Sequence, residues 1–271
     1  MNKKIGFIGC GNMGQAMIGG IIKSGITSPE NIITSDMNES FLHSMKNKYG
    51  LLTTLDNTEV ASFSDIIILA VKPNIYEKVI KEISPVVKQD VLIITIAAGI
   101  TIDFVKRAFG RDMKVVRTMP NTPALVGEGM TALSKNSSVT DEDLKDAISI
   151  FESFGKAEVI DEKLMDSIPA VSGSSPAYVF MFIEALADGA VLRGMPRDKA
   201  YKFAAQAVLG AAKMVLETGE HPGSLKDKVC SPGGTTIEAV YSLEMNNFRG
   251  TIISAMESCT KKAEAMSKGE K

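Results

Sequence analysis

The pattern of apolar and polar positions changes character after Asp161. Before that point, short apolar runs alternate with stretches of helical periodicity. The runs are Ile5–Ile8, Ile32–Ser35, 51–54, 65–71 (DIIILAV), 91–97 (VLIITIA) and 115–119. The 65–71 run shows no polar alternation until its end, as expected for a strand buried on both faces. Helical patterns cover Glu39–Tyr49, 75–83 and 141–154. The last of these opens on Thr140-Asp141-Glu142-Asp143, a capping hydroxyl followed by acids that suit a helix N-terminus. Segments 129–133 and 157–160 would add edge strands on either side of that helix. Strands alternating with helices at this spacing imply βαβ units and a mainly parallel sheet.

After Asp161 the strand signals stop. Segments 175–194, 198–218, Thr235–Met245 and Phe248–Ser267 read as helices. The first is almost wholly apolar from Pro176 onward, and a helix apolar on nearly all sides must be buried on nearly all sides. The remaining helices are too few to cover it, so a core shared between two copies is expected, as an obligate homodimer. Only the tail after Met266 (SKGEK) reads as disordered.

The first apolar run ends in Gly9-Cys10-Gly11-Asn12-Met13-Gly14, and an Ala/Met/Ile-rich helical stretch, 15–23, follows. Strand, Gly-x-Gly-x-x-Gly and helix together form the dinucleotide fingerprint. Gly9 would make the tight turn, Gly11 would let the backbone approach a pyrophosphate, and Gly14 would let helix and strand pack closely. The helix N-terminus then offers N–H groups to phosphates. Asp36 lies 22 positions beyond Gly14, just past the second run, where a ribose-binding carboxylate belongs. The expected fold class is therefore α/β: an N-terminal Rossmann-type, mainly parallel sheet over 1–161, then an all-helical dimerisation and substrate-binding domain over 162–271.

Composition narrows the function classes. A chain of 271 residues suggests two domains at ~150 residues each. A net charge of −2 supplies no global basic field for nucleic acid. Cys10, Cys230 and Cys259 are an odd, sparse set without Cys-x-x-Cys spacing, against both a disulfide framework and a metal site. No signal peptide precedes the first strand, and no apolar run reaches the ~18 residues of a membrane span. These features describe a soluble cytoplasmic protein with no membrane partner.

Ligands of an open parallel sheet bind beyond the carboxyl ends of its strands. Those ends read Ala70-Val71-Lys72-Pro73, Ala97-Ala98-Gly99 and Met119-Pro120-Asn121-Thr122-Pro123. Turn chemistry explains each alone, and three in one sheet favour a cofactor crevice. In the helical half, Ser174 or Ser175 would cap the apolar helix and make an anion site. Cys230-Ser231-Pro232-Gly233-Gly234-Thr235-Thr236 places two glycines before another helix, exposing N–H groups as a nest for a carboxylate. His43 reads as a surface residue and His221 as a structural loop residue. No lysine lies between Lys163 and Lys199. Ketone or alcohol chemistry needs a positioned acid or base. A protonated imine already carries the charge that makes its carbon electrophilic, so orientation and screening are most of the work.

These residues together resemble pyrroline-5-carboxylate reductase over essentially the full chain. The resemblance runs through the fingerprint, the three strand ends, Ser172-Gly173-Ser174-Ser175-Pro176-Ala177-Tyr178 and Ala185-Leu186-Ala187-Asp188-Gly189. Its most specific parts are the His221 to Gly223 loop, Leu225-Lys226-Asp227 and Ser231-Pro232-Gly233-Gly234-Thr235-Thr236-Ile237. It implies reduction of 1-pyrroline-5-carboxylate to L-proline by NADPH or NADH, the last step of proline synthesis. It also implies an interlocked homodimer, with larger rings such as decamers. By position, it implies that Gly9, Cys10, Gly11, Asn12, Met13 and Gly14 hold the pyrophosphate. Ser35, Asp36 and Asn57 would lie by the adenosine ribose. Ala70, Val71, Lys72 and Pro73, with Ala97, Ala98 and Gly99, would border the nicotinamide half. Ser175, Gly233, Gly234, Thr235 and Thr236 would grip the substrate, with the Thr236 hydroxyl near the ring nitrogen as the catalytic group. Two positions depart from the pattern: Lys228 stands where relatives often have Asn, and Asp36 where an NADPH user favours a small or basic residue. The competing readings are a β-hydroxyacid dehydrogenase-like enzyme, which needs a lysine on the long apolar helix, and a non-catalytic NAD(P)H-binding regulator, which needs no second anion site.

Overall fold

The computed structural model describes residues 1–269; the expectation of a disordered tail falls outside them at Glu270 and Lys271. Eight strands form one sheet: β1 (Ile5–Ile8), β2 (Ile32–Ser35), β3 (Leu52–Thr54), β4 (Ile66–Leu69), β5 (Leu92–Thr95), β6 (Lys114–Met119), β7 (Gly129–Lys135) and β8 (Gly155–Val159). The helices are α1 (Asn12–Ser24), α2 (Glu39–Tyr49), α3 (Asn57–Phe63), α4 (Tyr76–Ile83), α5 (Ile102–Phe109), α6 (Asp141–Glu152), α7 (Ser175–Leu192), α8 (Arg197–Thr218), α9 (Pro222–Val229), α10 (Thr235–Met245) and α11 (Phe248–Ser267).

The strand order is β3-β2-β1-β4-β5-β6-β7-β8. All pairs are parallel except β6 with β7. The sheet reverses its winding direction between β1 and β4, which makes their carboxyl ends the switch point of a doubly wound fold. β1, β2, β4 and β5 are buried at every position, because helices cover both faces. One core layer joins Phe7, Ile18, Ile68, Ile94 and Phe151, and the opposite layer joins Ile8, Ile67, Tyr76, Ile93 and Val105.

Local chemistry sets the helix ends. Asn38, Asp56 and Thr101 accept N–H groups at the starts of α2, α3 and α5, and α6 carries a reciprocal capping box between Thr140 and Asp143. The pattern along the chain did not reveal α3, α5 or α9, which have 7, 8 and 8 residues. The 129–133 segment is longer than expected and is not an edge: β7 lies between β6 and β8.

The chain forms two compact units, Met1–Ser174 joined by the chain from Cys259 onward, and Ser175–Ser258. The packing boundary therefore falls past the expected division at 161/162. Segment 162–174 stays with the sheet because Arg117 of β6 pairs with Glu162 and Asp166. The tail expectation is corrected at Ser267, which ends α11 and donates from its hydroxyl to Asp166.

In the second unit, the apolar helix is present but only partly covered. Ala187 alone is buried on α7, while Phe180 is 64% and Met181 69% exposed. Within the helical stretch 169–192, 18 consecutive residues have a mean hydropathy of 1.3 and are 6% buried, so the stretch is long and apolar enough to span a membrane by length and composition. This corrects the expectation that no segment reaches that length. Glu184 and Asp188 break the run without breaking the average. A helix destined for a protein core passes the same measure.

Candidate functional site

The first βα turn is built by close backbone packing. Gly9 has φ of +102°, and its N–H donates to the Ser35 carbonyl at 2.8 Å. A Cβ at Gly9 would lie 2.5 Å from the Ala70 carbonyl oxygen, and one at Gly14 would lie 2.7 Å from the Gly9 carbonyl oxygen. A Cβ at Gly11 would meet nothing within 4 Å. The outer two glycines thus let β1, α1 and the end of β4 touch, while the middle one faces open space. Gly11 is also the N-cap of α1 and brings no side chain to it, and the first turn of α1 carries no acid. Its N–H groups are left to an anion from outside.

The end of β2 is tied to that turn. One carboxylate oxygen of Asp36 accepts the Cys10 N–H at 2.7 Å, and the other accepts the Asn38 N–H at 2.8 Å. The Ser35 hydroxyl donates to Asn57 at 2.7 Å, and Asn57 donates on to Glu82 at 3.1 Å. Asp36, Ser35 and Asn57 are thereby gathered beside the glycine turn. Each oxygen of Asp36 keeps further lone pairs for ribose hydroxyls. Met37, next in the chain, is 96% exposed and was not anticipated. An apolar residue directly after a strand-end acid is the signal that marks it.

Beyond β1, β4, β5 and β6 opens a crevice of about 390 Å³ lined by Met13, Ala70 to Pro73, Ile96 to Ala98, Met119 and Pro120. Parts of all three strand ends singled out in the sequence meet here, but Gly99 and residues 121–123 do not line the crevice; Gly99 lines a separate narrow cleft with Ala263. Tyr76 holds two of the strand ends together. Its buried hydroxyl donates to the Leu69 carbonyl and hydrogen-bonds the backbone at Ile96 and Ala97. Burial pushes this phenol well above its ordinary value, so it stays a neutral structural group. Burial likewise raises the Cys10 thiol to about 11, with the Asp36 charge adding to the rise. Cys10 is an inert packing residue within the turn. Asn121, another residue whose role the sequence hid, joins Ser172 to Met130 through its amide.

In the second unit, Gly233 has φ of +66° and Gly234 caps α10 without a side-chain bond. The Gly234 N–H donates to the Ser231 carbonyl at 3.0 Å. That corrects the expected nest by one donor: the first-turn N–H groups of Thr235 and Thr236 are the ones presented. His221 caps α9, its ring nitrogen accepting the Gly223 N–H, and His43 lies exposed on α2. A second correction concerns Ser174 and Ser175. Residues Pro169–Gly173 form a π-helical turn that runs into α7, and the Ser174 N–H is bonded to the Pro169 carbonyl. No capped N-terminus exists there, so Ser175 can offer a hydroxyl but not an anion-binding helix end. No cluster of metal-ligating side chains occurs among the described residues.

Residues 4–99 match the family model described as NADP oxidoreductase coenzyme F420-dependent, and residues 162–266 match that for pyrroline-5-carboxylate reductase dimerisation. The chain is 56% identical over 268 residues to the pyrroline-5-carboxylate reductase of Escherichia coli (strain K12), covering 99% of this chain and 100% of that one. It belongs to the pyrroline-5-carboxylate reductase family. The solved reductase of Coxiella burnetii is similar with a TM-score of 0.93 at 35% identity, covering 98% of this chain and 99% of that chain. The Plasmodium falciparum reductase, solved with NADP bound, is similar with a TM-score of 0.89 at 38% identity, covering 98% of each. The chain is thus an oxidoreductase with a Rossmann-like N-terminal part and a family dimerisation region, and the bare surface of α7 lies within that region.

Proposed function

We propose that this protein reduces 1-pyrroline-5-carboxylate to L-proline with NADPH or NADH, the last step of proline biosynthesis. The observation that carries the reading is the family likeness along the whole chain, 56% identical to a named reductase. The turn geometry supports it, because a glycine cradle with an open middle position, an uncapped α1 and a crevice at the switch point fit a dinucleotide.

In this reading Gly9 to Gly14 receive the pyrophosphate, Ser35, Asp36 and Asn57 the adenosine ribose, and Met37 offers apolar surface to the adenine. Ala70 to Pro73 and Ala97 to Gly99 border the nicotinamide. When bound, NAD(P)H supplies the hydride for the imine carbon. Small residues along the crevice exclude water from that face without competing for it. On the substrate side, the N–H groups of Thr235 and Thr236 hold the carboxylate, and the Ser175 hydroxyl joins the substrate contacts. The Thr236 hydroxyl faces the ring nitrogen. That nitrogen loses its positive charge and gains a lone pair as the amine forms, and the hydroxyl then donates to it. The hydroxyl therefore binds the developing amine better than the charged imine, which is the condition for raising kcat.

Residues 1–161 carry the cofactor and 162–271 carry dimerisation and substrate binding. The working protein is an obligate homodimer in the cytoplasm, built further into rings such as decamers, and it acts on a small molecule rather than on nucleic acid or a membrane. Following nicotinamide absorbance with and without pyrroline-5-carboxylate tests the activity: substrate-dependent oxidation is expected, and its absence from a folded, cofactor-binding dimer would refute it.

A further inference from the structure

The segment Ala97-Ala98-Gly99 has no side chain longer than a methyl group, so its position depends on its backbone bonds to Tyr76 and Ile100 and on contacts made by other residues. Gly99 sits at φ +77°, and a Cβ there would be 3.0 Å from the Met266 Cβ and 3.1 Å from the Met266 carbonyl carbon. The last turn of α11 thus presses its backbone and side chain onto the end of the β5 loop. Ala263, one turn earlier and buried, lines the same narrow cleft as Ala97, Ala98 and Gly99.

A charged network fixes that turn in place. Arg117 is 5% exposed in the middle of β6. Its guanidinium pairs with Asp166 at 2.5 Å and with Glu162 at 3.4 Å. The same oxygen of Asp166 accepts the Ser267 hydroxyl at 2.7 Å. Glu162 accepts the Ile102 N–H at 2.9 Å, at the start of α5. The loop is therefore gripped in its middle by Met266 on Gly99 and at its α5 end by Glu162 on Ile102, while Tyr76 holds its β5 end, and Arg117 joins the first two grips. Cys259 adds a thiol contact to Ser174 at 3.4 Å, also on this side of α11. A buried guanidinium with both carboxylates satisfied gives a fixed geometry rather than a large stability gain.

We infer that the end of α11 is part of the cofactor site: Met266 and Ser267, through Arg117, Asp166 and Glu162, are positioning residues that hold the Ala97–Ala98–Gly99 edge against the nicotinamide half. This rests on the dinucleotide reading above. It gives the last turn of α11 a catalytic consequence that neither motif nor composition suggests.

The test uses the full-length dimer with Ser267→Ala, Met266→Ala and both together. NADH and ADP-ribose are titrated against each, since ADP-ribose carries everything but the nicotinamide. The double variant should bind NADH roughly 3- to 10-fold more weakly while ADP-ribose affinity stays unchanged, and kcat should fall roughly 10- to 100-fold, the scale of a small misplacement at a reacting centre. The KM for pyrroline-5-carboxylate should move little, and Ser267→Thr should restore the wild-type values. An unchanged ratio of NADH to ADP-ribose affinity overturns the inference, as does a parallel loss of both, which would mean general loosening. The binding ratio needs no turnover, so it stands apart from the activity assay: wild-type protein that binds NADH but leaves pyrroline-5-carboxylate untouched would sink the proposed reaction and not this positioning role.

Discussion

The two units handle their apolar residues in opposite ways. In the sheet unit, four strands are buried at every position and both faces of the sheet are covered by the chain's own helices. In the helical unit, α7 has 18 residues of which Ala187 alone is buried, and α10 has none. Yet α7 is itself mainly apolar, with Glu184 and Asp188 its only charged residues. The difference teaches that one unit closes its own core while the other is half of a core. Exposed apolar area on this scale marks an interface, and the dimerisation region of the family lies on it.

The sharpest way to break that contrast is to charge α7. Phe180→Asp would place a carboxylate in the shared core, at a cost of several kcal/mol, and should weaken the dimer roughly a thousandfold or more. Analytical ultracentrifugation should find monomers, with the sheet unit still able to bind NADH. A stable active dimer would mean that α7 is not at the interface.

Within the helical unit, Thr236→Ala should, on the proposed reading, remove one hydrogen bond to the forming amine. At a net 0.5–1.5 kcal/mol, or more if a buried partner is left bare, kcat/KM should drop roughly 3- to 100-fold. NADH affinity should hold, and Thr236→Ser should recover most of the rate. Equal loss of NADH affinity and turnover would remove Thr236 from the substrate side.

Within the sheet unit, Asp36 is fixed by the Cys10 and Asn38 N–H groups, so its charge cannot swing away from a 2′-phosphate. Asp36→Ser should raise the kcat/KM ratio of NADPH over NADH by on the order of tenfold, ~1.4 kcal/mol. Steady-state kinetics with both cofactors checks this, and an unchanged ratio would mean that Asp36 does not face the ribose.

The smallest effect concerns how the sheet unit keeps its fold in acid. Burial alone would raise the Asp143 carboxyl, but the Thr140 hydroxyl and Lys114 outweigh it and hold the group below its usual 3.8. A depressed carboxyl contributes stability above its unfolded value, and that stability fades as pH falls through the folded value. Asp143→Asn should therefore lower Tm at neutral pH, and the gap from wild type should close as the pH drops below about 3.8. Melting curves across pH test it; a gap independent of pH would assign the loss to the capping box alone.

The sequence by itself determined the elements whose chemistry is local. The glycine turn, the Asp36 position and the long helices are read directly, because each depends on residues close in the chain. The gathering of Ala70 to Pro73 with Ala97 to Gly99 also followed, since parallel strands must bring their carboxyl ends to one edge. The short helices α3 and α5 did not show, although α4, of the same length as α5, did. Tertiary structure alone decided the rest. Arg117 of β6 reaches Asp166, 49 residues away, which Ser267 in turn reaches across 101 residues. A buried guanidinium must find carboxylates wherever the fold brings them, and separation along the chain carries no sign of which ones those will be.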